Sequence, residues 1–423
     1  MKGGLRMKES RTLEFKAEVS NTFLKTVSAY ANFHSGRIQF GINDDGTICG
    51  VSDPNQACLD IENKINDSIS PKPDYTLSIN CSTNVITLSV AEGKYKPYLY
   101  RGKAYRRSDT ATIEVDSLEL KRLTLEGCNL NYEELSAQSQ NLTFTYLERK
   151  LVETLGISRL TDDMLRTFGF YTKDKTFNVA AELFADANSF YGIDTARFGK
   201  SISEILDRAA FSGESILKQY DEATALFRRY YQYEKIEGFE RVIVNLIPEE
   251  AFRESIANAL VHRTWDVNAH IRVEMYPDRI QIISPGGLPR GLSAEEYLSG
   301  NISCLRNPII GSMFFRMRYI EMFGTGIRRI RESYSDSTIK PSFEVFDHSI
   351  KITLPVLSRQ HNVTTDGQKV IDLLENGMQL SSREIADKLG WSKDKAIRAI
   401  NALKSSGYLQ SVGNGRGTKY RLA

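Results

Sequence analysis

Glu254 and Asn258 stand four residues apart in the stretch Phe252–Asp266, FRESIANALVHRTWD. On a helix that spacing projects both side chains from one face. A carboxylate beside a carboxamide has the tools for a hydrated Mg²⁺ and the water next to it. Asn supplies an oxygen ligand, and Glu accepts a proton from an attacking water. A surface Glu hydrogen-bonded to a neighbouring Asn has the same spacing, so the pair alone does not choose between the two. Two glycine-rich stretches follow it. Ser284–Pro289 reads SPGGLP, and Gly324–Ile327 reads GTGI just ahead of the helical run Arg328–Tyr334. Glycines let backbone N–H groups approach a phosphate, and a helix start favours an anion.

The elements that must position these groups are legible around them. Pro248 opens a helix whose first turn holds Glu249 and Glu250, where the dipole favours acids. Phe252, Ile256, Ala259 and Leu260 recur at helical spacing and give that helix a buried stripe. Glu240–Ile247 alternates as a strand leading in, and Ile271–Met275 and Arg279–Ile283 alternate as strands around Pro277–Asp278. Ser342–Phe346 and Ile350–Leu354 form a closing hairpin around Asp347–His348. A second glycine-lysine-serine string, Gly199–Ser201, is not a P-loop: Asp194 stands where that motif needs its first glycine. Walker-type chemistry is excluded on that ground.

A Glu-x-x-x-Asn helix, a strand ending in a Gly-Gly turn, then Gly-Thr-Gly entering a helix resembles the GHKL ATPases. With RNPII (Arg306–Ile310) and FGTGIRRI (Phe323–Ile330), it is most similar to the divergent ATPase module of bacterial Schlafen-type or "helicase-related" regulators. The resemblance implies ATP and Mg²⁺ as cofactors. It makes Glu254 the water-activating base and Asn258 the Mg²⁺ ligand, with Gly286, Gly287, Gly324, Thr325 and Gly326 lining the nucleotide. Ser284 stands near the place of the adenine-reading Asp of the standard family. Arg263 follows the helix, and it pairs either with a phosphate or with Asp266 or Glu254.

A second resemblance covers about residues 9–120. ESRTLEFK (Glu9–Lys16) precedes a helix Phe23–Phe33 carrying Ala31–Asn32. Then come a strand Arg37–Ile42, the turn Asn43–Gly46, a strand Thr47–Val51, and KPYLYRGKAYRRSDT (Lys96–Thr110). That order resembles the Schlafen/AlbA-type DNA-binding domain. In some Schlafen relatives three acids at about the places of Glu9, Glu14 and Asp44 form a metal-dependent nuclease site. Such carboxylates can hold a cation that activates water, although Asp44 is equally explained by the turn. Arg101, Lys103, Arg106 and Arg107, interleaved with Tyr98, Tyr100 and Tyr105, read as a nucleic-acid face of phosphate contacts and base stacking, or as a solvated edge strand.

Between these modules residues 121–235 read mostly helical, with strands expected at Asn178–Phe184 and Tyr191–Phe198. After a polar stretch at 358–367, the chain shows three helices and a glycine-rich hairpin, with Ser381 and Glu384 as a capping box. This resembles a winged helix-turn-helix. Lys393, Lys395, Arg398, Arg416 and Lys419 bias its third helix and wing towards phosphate contact, with docking to protein as the competing use.

At 423 residues the chain exceeds one compact core. A net charge of +2 identifies no partner, and no apolar run reaches a membrane span of about 18 residues. Five cysteines without a C-x-x-C pair predict reduced cytoplasmic thiols and no zinc site. The opening MKGGLR reads as no structural element, and Met7 is an alternative first residue. The expectation is an α+β multidomain protein: an AlbA-like α/β domain (1–125), a mixed helical connector (126–204), a GHKL-like α/β sandwich (205–357), a linker (358–367) and a C-terminal winged helix-turn-helix (368–423). Its expected function is that of an ATP-binding regulator that binds DNA, or RNA. A homo-oligomer is expected because a winged helix reads a half-site best with a twin about 34 Å away. The alternative is a nuclease triggered by nucleotide.

Overall fold

The computed structural model describes residues 8–237, 239–289, 291–300, 304–321, 324–357, 365–374, 378–405, 408–413 and 418–422. Met7, Phe323, Arg416 and most of the expected linker lie outside those residues. The chain divides into two compact units. One holds residues up to Phe190 with Thr264–Asn268 and Leu305–Met313, and the other holds the remainder.

The first unit begins with a four-stranded sheet in the order Leu13–Lys16, Gly36–Phe40, Val85–Val90, Tyr75–Asn80. Its first two strands are parallel and are joined by the helix Phe23–Phe33. Phe23, Leu24, Val27 and Tyr30 of that helix share a buried core with Ile38, Phe40, Ile86 and Leu88 of the sheet. Gly36 is required here, because a Cβ would fall 2.5 Å from the Tyr30 ring. Asn32 clamps a distant segment: its amide donates to the Tyr98 carbonyl at 2.8 Å, and its oxygen accepts from the Tyr98 N–H at 2.7 Å.

Two expected strands differ. Thr47–Val51 is reduced to a single bridge, Ile42 to Ile48. Gly41 and Gly50 both take positive φ, and the Cys49 and Gly50 N–H groups share the Gly41 carbonyl, which curls the chain away from a ladder. Asn178–Phe184 is helical from Val179, because the Asn178 side chain accepts from Ala181 N–H at 3.0 Å and caps the turn.

The second unit is built on a six-stranded sheet, ordered Ile205–Phe211, Ile193–Phe198, Ile271–Met275, Arg279–Pro285, Ser349–Pro355, Ser342–Val345. The strand Ile193–Phe198 runs parallel to Ile271–Met275 inside this sheet, so the unit starts ahead of residue 205, at Tyr191. Helices Ile216–Tyr231 and Glu249–His262 pack against strands of the sheet and against each other, with Phe227 stacked on Phe252 at 4.4 Å. A separate antiparallel pair, Gln232–Glu237 with Glu240–Asn245, connects those two helices.

The C-terminal segment contains helices Thr365–Leu374, Ser382–Leu389 and Lys393–Ser405. With them is a three-stranded sheet ordered Leu380–Ser381, Lys419–Leu422, Leu409–Val412. Val370, Leu374, Ile385, Ala396, Ile400 and Leu403 form its core. The Ser381–Glu384 capping box is present, with Glu384 N–H donating to Ser381 Oγ at 3.3 Å and Ser381 N–H to Glu384 Oε2 at 2.7 Å. Among the described residues no helix is long and apolar enough to cross a membrane, no cysteine is in a disulfide, and no group of three His, Cys, Asp or Glu could hold a metal ion.

Candidate functional site

The helix Glu249–His262 starts after Pro248, and of its first-turn acids Glu249 takes Arg228 at 2.6 Å and the Gln232 amide at 2.6 Å. Phe252, Ile256 and Leu260 are buried on its apolar stripe. Glu254 is buried too, only 5% exposed, and its Oε1 accepts from Asn258 Nδ2 at 3.1 Å. Burial pushes the Glu254 carboxyl above the ordinary range, opposed by the Asn258 hydrogen bond and the Arg329 charge. Arg329 reaches Glu254 Oε2 at 4.0 Å and Glu321 at 3.2 Å. The helix Gly326–Glu332 packs against this one. A Cβ on Gly326 would lie 2.5 Å from Glu254 Oε1 and 2.7 Å from Asn258 Nδ2. Gly324 takes φ +69° in the turn before it, and Thr325 Oγ1 is buried with no hydrogen-bond partner among the described residues. The chain therefore brings Glu254, Asn258 and the Gly-Thr-Gly turn together across some seventy residues of sequence.

The Gly-Gly turn is placed by the sheet. Ser284 is the penultimate residue of the strand Arg279–Pro285 and donates to the Ala259 carbonyl at 3.1 Å, one residue past Asn258. Gly286, at φ +103°, donates to the His348 carbonyl at 2.8 Å. A Cβ on Gly287 would strike the Asp347 carbonyl. Both glycines thus have a packing role against the 346–348 turn.

A carboxylate, a carboxamide, an orphaned buried hydroxyl and a glycine where no side chain fits suit a nucleotide–Mg²⁺ group in their chemistry. The glycine-lysine-serine string does not. Its Lys200 N–H is taken by Glu204 Oε2 at 2.9 Å, so the loop satisfies its own donors.

Several expectations are corrected. Arg263 is not a phosphate contact. It is almost fully buried, and it donates to the carbonyls of Tyr191 at 2.7 Å and Ala269 at 2.6 Å. Burial pulls its guanidinium down to about 10. Asp266 instead receives Arg122 through two bonds, at 2.8 and 3.1 Å. Arg107 is also interior: it pairs with Glu14, donates to Thr112 Oγ1 at 3.0 Å and to the Ser10 carbonyl at 3.2 Å. Strand alternation buries Arg107 with Tyr105 and exposes Arg106. Tyr98, Tyr100 and Tyr105 are core residues and offer no stacking platform. The three acids do not assemble. Glu14 is held by Arg107, by Lys16 at 2.7 Å and by Thr26 at 2.9 Å; Glu9 accepts the Phe15 N–H at 2.8 Å; and Asp44 is exposed in its turn.

What remains at the surface of this unit is Arg101, over the Tyr100 ring, Lys103 paired with Glu114 at 2.7 Å, and Arg106 near Glu119 at 3.4 Å. In the C-terminal segment Lys393, Arg398 and Lys419 are exposed, while Lys395 bonds Asp366 at 3.0 Å and lies over Trp391.

Sequence reasoning missed Glu133. Fully buried, its carboxylate accepts the N–H groups of Ile309 at 2.7 Å and Ile310 at 3.0 Å, at the start of the helix Pro308–Arg316. Burial pushes it up to about 7 against those two bonds. Its only local signal is the Asn131–Glu134 capping box that forms the turn around it.

Two family models match the chain. Residues 9–116 match "Schlafen, AlbA_2", and residues 268–354 match "Putative ATP-dependent DNA helicase recG C-terminal", an HATPase-type model. A Schlafen/AlbA module therefore precedes a GHKL-like ATPase module. No curated protein matches. Among solved structures, the DIP2311 protein from Corynebacterium diphtheriae is similar at 19% identity and TM-score 0.49, over 98% of this chain and 92% of that one.

Proposed function

We propose that this chain is an ATP-binding, DNA-binding regulator, in which nucleotide occupancy of the GHKL-like module sets the arrangement of two nucleic-acid-binding arms. One observation carries the nucleotide site: Gly326 abuts both Glu254 and Asn258, so the two motifs that the resemblance requires at one triphosphate are neighbours. Asn258 would ligate Mg²⁺, and Gly324, Thr325 and Gly326 would line the phosphates, with the Thr325 hydroxyl free to donate. Ser284, Gly286 and Gly287 would bound the same space through the Ser284–Ala259 bond. Bound nucleotide and Mg²⁺ would supply a charged group that orders this space. Glu254, its carboxylate made more basic by burial, is the residue that would take up a water's proton if hydrolysis occurs.

The arms are the Schlafen/AlbA module, with Arg101, Lys103 and Arg106, and the C-terminal segment. Its three helices and three-stranded sheet support a winged helix-turn-helix with Lys393, Lys395, Arg398 and Lys419 towards DNA. Nucleotide switches such a protein only if it binds two arrangements with different affinity.

Titration calorimetry with ATP and Mg²⁺ tests the reading. Binding by the wild type and its loss in Asn258→Ala are expected. No heat at millimolar nucleotide would remove the regulator and leave a scaffold.

A further inference from the structure

The antiparallel pair Gln232–Glu237 and Glu240–Asn245 carries a cluster of exposed apolar side chains in the second unit. Phe239 at its tip is fully exposed, Ile236 is 72% exposed and Ile243 65%, with Val242 also open. Among the described residues no third strand joins it. A lone two-stranded ribbon is marginal in water, and a flat apolar edge strand without a blunting charge or proline invites another strand. The second strand, Glu240–Asn245 (ERVIVN), is such an edge at its centre.

We infer that this strand pairs antiparallel with the same strand of a second copy, joining two ribbons into a four-stranded sheet across a twofold axis. The sequence selects the partner. A twofold axis through an antiparallel strand pair sets one residue opposite its own copy, because both strands must present the same face. With Ile243 on the axis, Ile243 meets Ile243, Val242 meets the second copy's Val244, and Arg241 meets the second copy's Asn245. Every apolar residue of the centre then faces an apolar one, and no like charges oppose each other. The other strand is charged at its centre, and its apolar residues Tyr233 and Ile236 lie towards its ends. Centred on Lys235 or Glu234, it would set lysine against lysine or glutamate against glutamate. Pairing the first strand of one copy with the second strand of the next would leave open edges and build fibres.

The test needs neither nucleotide nor nucleic acid, so it stands apart from the regulator reading. Sedimentation velocity of the full chain at tens of micromolar is expected to show a dimer. Ile243→Lys and Ile243→Glu should each sediment as a monomer, with association weakened about tenfold or more. Both should keep the circular dichroism of the folded chain, because in the monomer the side chain is mostly in water, and thermal unfolding should fall only by the lost dimer linkage. An equimolar mixture of the two should recover the dimer, with lysine now opposite glutamate on the axis. A monomeric wild type, a dimer that survives both substitutions, or a mixture that stays monomeric would each overturn the inference.

Discussion

Gly326 lies so close to the Glu254 carboxylate that a methyl group there would stand 2.5 Å from Oε1. Two motifs far apart in sequence are thereby reduced to one packed contact, and the glycine is a steric requirement of that contact.

Gly326→Ala should therefore destabilise the second unit and abolish nucleotide binding together. The clash falls on the end of a side chain, but that end is buried and hydrogen-bonded to Asn258. Overpacking of this kind costs about 1–3 kcal/mol. Urea denaturation and calorimetry with ATP measure the two effects. An alanine variant as stable as the wild type, with unchanged affinity, would refute the packed contact.

Arg107 and Glu14 make the opposite kind of prediction, about stability alone. Removing one member of a buried ion pair strands the other, at a cost of about 3–5 kcal/mol. Lys16 remains beside Glu14 at 2.7 Å, so Arg107→Met should fall at the lower end. Arg106→Ala, at an exposed ion pair, should stay within about 0.5 kcal/mol of wild type. Nuclease activity is not expected to depend on Glu14, whose oxygens are committed to these partners. A near-neutral Arg107→Met in urea denaturation would show that the pair is not structural.

Glu133 gives the protein a pH signature. Its folded carboxyl titrates near 7, raised by burial from an unfolded value of 4.5. Below about pH 4.5 both states are protonated and the group is neutral towards stability. As pH rises through this window the unfolded chain releases the proton first, so the folded state is progressively penalised until about pH 7 and levels off above it. Glu133→Gln keeps an acceptor for one of the Ile309 and Ile310 N–H groups, at a cost that does not vary with pH, and removes the titration. Its stability relative to wild type should rise between pH 5 and 7, as read from denaturation midpoints. A constant difference over that window would show that the group does not titrate there.

The sequence made some of this legible, for local reasons. Motifs that fix their own geometry could be read: the Ser381–Glu384 capping box and the Pro248 helix start; the strand expected at Tyr191–Phe198 is found at Ile193–Phe198. What failed needed partners that no local pattern names. Arg107 and Arg263 look like free cations in a linear string, and only the fold shows that one is taken by Glu14 and the other by backbone carbonyls. Tyr98, Tyr100 and Tyr105 suit a stacking platform by type, yet packing turns them inward. Asn178–Phe184 reads as a strand, and only the fold shows the Asn178 oxygen meeting the Ala181 N–H and capping a helix. For Glu133 the capping box marks only the turn, because its two donors lie more than 170 residues away.

The C-terminal cations divide by what already holds them. Lys395 is bonded to Asp366 at 3.0 Å, whereas Lys393 is exposed at the first turn of the same helix. A lysine that meets a phosphate releases condensed counterions, and each such contact adds about 0.9 to the slope of log K against log salt. A lysine already neutralised by a carboxylate must first exchange that partner, so it contributes less. Lys393→Ala should thus flatten the slope for a duplex of arbitrary sequence by about one unit. Lys395→Ala should flatten it by a fraction of that, and Asp366→Asn should tighten binding by freeing Lys395. Fluorescence anisotropy across a salt series reads all three. Equal slopes in the wild type and Lys393→Ala would move the DNA contact away from this helix, leaving the exposed Arg101, Lys103 and Arg106 of the Schlafen/AlbA module to account for binding.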